Sequence, residues 1–593
     1  MEMPPNQVLE QARLWADADP DPEARHELLR LIDDESLPEL RGRFHGRLAF
    51  GTAGLRGAIG AGPNRMNRAV VRQTSAGLSD YLRTHDPEAA RAGVVIGYDG
   101  RHLSREMAED TAAVLIARDI PAVLIPHPAP TPLVAFAVTH LRLGAGVMVT
   151  ASHNPPQDNG YKVYWKNGAQ IIPPHDRGIA DAIGADLARL GPPGIGNAAA
   201  IPLADLDRAE IQGLLTRTGE ELEADYLNAV QASLPGPRGN QKSPTIVYTP
   251  MHGVGRDLCT AALARAGFDR VRVVPEQAEP DPDFPTVRFP NPEEPGALDL
   301  ALSLAKAEGA DLILANDPDA DRLAVVARDG DRGLVAFDGN QIGALLGDYL
   351  LEHHAPNRGR PLVVTSIVSS TMLAAIGAAH GAEHETVLTG FKWIANRALH
   401  REAQDPGLTF VFGYEEALGY TVGTVCRDKD GIGAAAAMAQ LATACADEGR
   451  TLHDRLRGLY ERHGLHLTRQ KAVVMPGPRG AAQISAIMEG LRSDPPECFA
   501  GRRVLSHLDV QRGLRFSDAG EETVLLPPSN VLRFDLDGGA TLTARPSGTE
   551  PKIKFYFEVR QSMDGLSPEA AHTAAARQLD ALETALLAVV DVV

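Results

Sequence analysis

AGVMVTASHNPP (145–156) is the stretch from which the rest of the chain can be read. An unbroken apolar run, AGVMV, ends in Thr-Ala-Ser-His-Asn and then in two prolines. Proline removes a backbone donor and fixes φ, so a strand cannot continue through Pro155 and Pro156. A strand that is apolar at every position, rather than at alternate ones, suits a sheet covered on both faces. The same pattern recurs in GVVIGYDG (93–100), TIVYTPMHGVG (245–255), DLILANDPDADR (311–322), PLVVTSIVSS (361–370) and LTFVFGYEEALG (408–419). Helical patterns such as SREMAEDTAAVLIARD (104–119) and GRDLCTAALARAG (255–267) lie between these runs. Strand alternating with helix predicts an α/β fold with mainly parallel sheets. Ligands of such sheets bind beyond the carboxyl ends of the strands, where the unusual polar sequences of this chain fall. Those loops are expected to face a common cleft.

The last part reads differently. VLRFDLDGGATLTARPSGTEPKIKFYFEVR (531–560) alternates like antiparallel strands and is followed by a long helical tail. The chain of 593 residues is long enough for three to five domains and several cores. Linker-like segments lie at 190–202, 233–244 and 474–480.

Composition narrows the classes. The net charge is −19 and no basic stripe is present, which argues against nucleic acid as a partner. An acidic protein that handles anions must gather its cations inside a site. Cys259, Cys426, Cys445 and Cys498 form no CxxC pair and read as reduced thiols, as expected of a cytoplasmic protein. The first residues are acidic and polar, so no signal peptide is expected. The most apolar helix, near 433–445, is short, Ala-rich and interrupted by Gln440, so it is expected in a core and not in a membrane.

Four loops carry candidate chemistry. Ser152, held at a strand end, is a candidate nucleophile, although a lone serine there more often caps a helix. NDPDADR (316–322) places Asp317, Asp319 and Asp321 at alternate positions. Carboxylates this close repel one another and call for a cation, and three hard oxygen donors suit Mg²⁺. A calcium EF-hand is excluded, because Arg322 and Arg328 stand where that loop needs Gly and Glu. FGYEEALGY (412–420) offers Glu415 and Glu416, acceptors suited to sugar hydroxyls, though a solvated glutamate pair would look the same. RPSGTEPK (545–552) combines Arg545, Ser547, Gly548 and Thr549 as a phosphate cradle. Weaker candidates are Thr52 and Arg56 in FGTAGLRG (50–57), Thr389, Gly390 and Lys392 in TGFKW (389–393), and Lys429 in RDKDG (427–431). His252 reads as structural.

Taken together and in this order, the loops resemble those of the α-D-phosphohexomutase superfamily of phosphoglucomutases and phosphomannomutases, over about 50–560. The resemblance implies four domains around one cleft, three α/β and a smaller α+β domain. They are expected at 1–210, with an N-terminal helical extension, and at 211–332, 333–470 and 471–593. It implies that Ser152 carries a phosphate and that Mg²⁺ is held by Asp317, Asp319, Asp321 and an oxygen on Ser152. Arg322 would steady that phosphoserine. Arg56, His153, Lys162 and Lys429 would lie near the reacting oxygens, Glu415 on the sugar, and Arg545, Ser547, Gly548 and Thr549 on the distal phosphate. Such an enzyme interconverts a sugar 1-phosphate and 6-phosphate through a bisphosphate of the glucose 1,6-bisphosphate type. It works as a monomer or homodimer on small sugar phosphates, away from membranes.

Tyr414 and Ala417 stand where many members have Gly and Ser in the sugar loop. With NGYKVYW (159–165), this is similar to the phosphoglucomutase-2/phosphopentomutase-like branch. Glucose phosphate is the first substrate expected, with mannose and pentose phosphates as alternatives. A phosphoaspartyl phosphatase would leave Ser152 and Arg545 unexplained. A sugar-phosphate-binding protein would need neither the serine nor three aspartates.

Overall fold

The computed structural model describes residues 3–51, 54–192, 194–236, 243–475, 480–547 and 552–590. Thr52, Gly548 and Thr549 lie outside them. Each apolar run identified in the sequence forms a strand of one of three α/β sheets. In the first sheet, Ala145–Val149 and Val94–Tyr98 pair in parallel, followed by Ala122–Leu124 and Leu215–Arg217. Asp158–Trp165 and Leu55–Ala58 extend the other edge antiparallel. All five residues of Ala145–Val149 and of Val94–Tyr98 are buried, as helix-covered parallel strands require.

The second sheet has Leu312–Ala315, Ile246–Thr249 and Val271–Val273 in parallel, with Ala324–Arg328 and Leu334–Ala336 turned back against them. The third has Glu383–Val387, Arg360–Ser366 and Leu408–Glu415 in parallel, with Gly419–Val422 antiparallel. Each sheet is therefore mixed, with a parallel centre. The antiparallel strands follow the polar loops directly, so those loops are hairpin tips held at both ends.

The fourth sheet is antiparallel throughout its described strands, from Leu465–Val474 to Gly520–Thr523, and the long helix Pro568–Val590 packs on it. The strand pairings run past two of the expected boundaries. Leu215–Arg217 closes the first sheet beyond 210, and Leu465–Val474 opens the fourth before 471. Both strands are too short or too polar to announce their sheet in sequence.

Three helices, Pro5–Ala18, Pro22–Asp33 and Leu37–Phe44, form the N-terminal extension around Trp15, Leu28 and Leu40. The buried Arg43 ties them to the first domain, donating to Glu27 at 2.6 Å, Glu39 at 2.9 Å and the Ala61 carbonyl at 3.1 Å. The Ala-rich segment is the core helix Gly431–Asp447, capped by Asp430, whose carboxylate accepts from the amides of Ile432 and Gly433. No helix among the described residues is long and apolar enough to cross a membrane.

Candidate active site

Two hairpin tips meet at the centre. In the first, Ser152 adopts φ +53°, a left-handed conformation that costs a residue with a Cβ about 1–2 kcal/mol. Thr150 and Arg101 hold it there. The Ser152 amide donates to Thr150 Oγ1 at 2.9 Å, and its carbonyl accepts from Arg101 Nη2 at 2.6 Å. Arg101 also donates to the carbonyls of Asn154, Pro155 and Asp158, so one buried guanidinium organises the whole tip. Asp99 lies against Arg101 and accepts from Thr150 Oγ1 at 2.6 Å and Ser104 Oγ at 2.7 Å. Asp99 and Arg101 were not picked out in the sequence, although GVVIGYDG ends with Asp99 and Gly100 and Arg101 follows it.

In the second tip, Ala320 is also left-handed, at φ +55°, and Asp317, Asp319 and Asp321 are fully buried. One oxygen from each lies within 4.8 Å of the others, a separation that one cation can span. Ser152 Oγ donates to Asp317 Oδ2 at 2.6 Å. Lys162, from the strand after the serine loop, reaches Asp319 at 2.7 Å and Asp321 at 2.8 Å. Lys429 reaches Asp321 at 3.0 Å, and Thr131 donates to Asp319 at 2.7 Å. The Arg322 amide donates to Asp317 Oδ1 at 3.0 Å, and its guanidinium binds the Ala417 carbonyl.

The charges are uneven. Burial pushes all three carboxyls up. Lys162 and Lys429 more than reverse this for Asp321, and Lys162 with Thr131 does so for Asp319. Asp317 stays well above the usual carboxylate range, because burial and its two acidic neighbours outweigh Arg322 and the Ser152 hydroxyl. Asp319 Oδ1 and Asp321 Oδ1 are buried with no hydrogen-bond partner among the described residues. Two buried carboxylate oxygens without a hydrogen-bond partner, with an oxygen of Asp317 within reach of the same point, are hard donors left open, so the residues fit a hard divalent metal.

His153 is held below its ordinary value by burial and by the charges of Arg322 and Arg56, and its Nδ1 has no partner among the described residues. Arg56 donates to Asn154 at 3.3 Å.

The remaining candidates form the outer part of the cleft. Glu415 accepts from the Gly390 amide at 2.6 Å and is pushed up by burial. Glu416 accepts from Ser366 at 3.2 Å and Ser369 at 3.4 Å. Thr389 Oγ1 is buried and unpartnered among the described residues. Lys392 donates to the Gly51 carbonyl at 3.1 Å, joining the third domain to the first. Arg545 lies on Thr541–Pro546, near enough for its charge to oppose the upward push of burial on Glu416. The Ser547 amide donates to the Lys552 carbonyl at 2.9 Å, closing the base of that loop. His252 is structural here, its Nε2 lying 2.8 Å from Thr286 Oγ1.

The four domains match those described as phosphoglucomutase/phosphomannomutase α/β/α domains I, II and III, over residues 47–189, 224–330 and 338–463, and the C-terminal domain, over 486–574. The chain is 37% identical to the phosphopentomutase of Homo sapiens, covering 91% of this chain and 89% of that one. It is 36% identical to the glucose 1,6-bisphosphate synthase of Homo sapiens, over 93% and 89%. A phosphoglucomutase/phosphomannomutase family protein from Burkholderia thailandensis has the same fold, with a TM-score of 0.63 at 20% identity over 91% and 97% of the chains.

Proposed function

Since the chain belongs to the phosphoglucomutase/phosphomannomutase family and is a phosphosugar mutase, we propose that it interconverts glucose 1-phosphate and glucose 6-phosphate through a phosphoserine at Ser152. The observation that carries this reading is the 2.6 Å contact of Ser152 Oγ with Asp317, inside a triad whose carboxylate oxygens can meet on one cation.

The Oγ–P bond of phosphoserine breaks as a new P–O bond forms to the free sugar hydroxyl. That hydroxyl's proton passes to a base beside Ser152, where His153 has no ion pair among the described residues. The sugar bisphosphate turns over in the cleft, and Ser152 takes back the other phosphoryl group. Asp317, Asp319, Asp321 and a phosphate oxygen would hold Mg²⁺, which when bound spreads the charge of the transferring oxygens. Lys162, Lys429 and Arg322 hold the triad in register, while Arg56 lies beside the tip. Glu415 and Glu416 accept from sugar hydroxyls, with Thr389, Gly390 and Lys392 beside them. The loop with Arg545, Ser547, Gly548 and Thr549 grips the phosphate that is not moving, and Thr52 contributes to substrate binding. A glucose 1,6-bisphosphate type of activator would prime the serine, and the enzyme acts in the cytoplasm as a monomer or homodimer.

Ribose 1-phosphate and 5-phosphate are a second reading, favoured by the human phosphopentomutase among the relatives. Ala417 leaves the sugar loop one hydroxyl short. A hydrogen bond to a neutral sugar is worth about 0.5–1.5 kcal/mol, or roughly two- to twelve-fold in affinity, too little to exclude a sugar. Glucose 1-phosphate and at least one of mannose 1-phosphate and ribose 1-phosphate should therefore turn over. Arg545→Ala should depress kcat/KM for all of them alike, and Glu415→Ala should change their ranking. Turnover of one sugar alone, unaltered in rank by Glu415→Ala, would refute this account of specificity.

A further inference from the structure

A cavity of about 710 Å³ lies between the third and fourth domains, and of the residues placed at the active site only Ser366 and Ser369, the partners of Glu416, line it. Its apolar wall includes Ile367, Leu388, Trp393, Leu508 and Leu526. Leu525, which also lines it, is 87% exposed. Three arginines line the cavity, and two are committed. Arg397 donates to Glu385 through Nε at 3.1 Å and Nη2 at 2.9 Å, and Arg533 donates to Asp535 at 3.0 Å and the Ile367 carbonyl at 3.1 Å. The Arg515 side chain makes no hydrogen bond or ion pair among the described residues, and its Nε is buried. A guanidinium is planar, permanently charged and suited to phosphate, so one without an ion pair among the described residues, lining a hollow, offers an anion position. The volume lies within the range of small-molecule sites, and Trp393 supplies an aromatic face.

We propose that this cavity binds a small organic phosphate bearing a flat apolar group, of the size and chemistry of a nucleoside monophosphate. Its phosphate meets Arg515, and its ring lies against Trp393 and the leucines. The occupant touches both domains, and so bears on the seam between them rather than on the reacting atoms. Ser366 and Ser369, which hold Glu416, form part of the same wall, so the site backs onto the sugar loop.

The test uses intrinsic fluorescence of the whole protein. Of the three tryptophans, Trp15 and Trp165 are buried, at 2% and 7% exposure, which leaves Trp393 as the reporter. AMP should quench saturably, with adenosine and inorganic phosphate each about tenfold weaker or more, since each supplies only half of the contacts. Arg515→Ala should weaken AMP by about tenfold and leave sugar-phosphate turnover intact. Trp393→Phe should lose the signal and keep the AMP-induced rise in melting temperature. Glucose 1-phosphate should not displace AMP. No saturable response to AMP, an undiminished response in Arg515→Ala, or displacement by glucose 1-phosphate would each overturn the proposal.

Discussion

Ser152 is small and ordinary, and its significance comes from where its backbone is forced to go. A left-handed serine with its carbonyl pinned by Arg101 cannot relax back into the strand, so its hydroxyl stays on Asp317. Ser152→Ala keeps every backbone contact of the tip and should fold normally. It should lose nearly all turnover and, by intact mass, the one phosphate expected on the active wild-type protein. Near-normal activity in the variant would remove the phosphoserine from the mechanism. Arg101→Ala is the converse case. It strands the fully buried Asp99 and frees four carbonyls, and breaking a buried pair from one side costs about 3–5 kcal/mol. Denaturant unfolding should register that loss, and turnover should fall even in the molecules that remain folded.

At the scale of elements, the site is a set of hairpin tips. The strand before each tip was legible because unbroken apolar runs ending in Gly, Pro or Asp have few other readings, and DPDADR was legible because three carboxylates in five residues have no cheap solution without a cation. What holds the tips was not. Arg101, Thr131 and the Tyr164–Asp428 hydrogen bond of 2.8 Å act across 51 to 264 positions of sequence, and no local pattern encodes such pairings. Short strands escaped for a similar reason, since Leu215–Arg217 has one buried residue. The second tip makes its own prediction. Asp319 Oδ1 and Asp321 Oδ1 have no hydrogen-bond partner among the described residues and are open to a cation, so Mg²⁺ should raise the melting temperature, by about 2.7 kcal/mol of stability at a hundredfold excess over Kd. Chelation should stop turnover, and Asp319→Asn should mimic it. Melting and rate that ignore chelator would refute the metal site.

The whole molecule is joined unequally. Lys392 and Gly51 link the third domain to the first, and Ser152 with Asp317 links the first to the second. The fourth domain meets the third at the buried Glu558, which accepts from Ser370 and from the Thr371 amide at 3.0 and 3.1 Å, beside His466. Asn340 donates to Thr468 at 3.0 Å across the same seam. Burial pushes the Glu558 carboxyl up, but His466, Ser370 and Thr371 bring it below its ordinary 4.5. A depressed carboxyl stabilises above its unfolded value and loses that contribution as pH falls through the folded one. The seam should therefore weaken below about pH 4.5, and Glu558→Gln should abolish that part of the pH dependence of melting.

In the proposed reaction the polar seam would also govern a race. A bisphosphate that must turn end over end would have to be let go before it is caught again, and in that interval it could escape into solution. Each escape would leave the serine bare and the next encounter barren until a fresh donor arrives. A stiffer seam would trap the intermediate without letting it rotate, and a looser one would squander it. On that reading, the contacts around Glu558 bear on how many catalytic cycles follow a single priming.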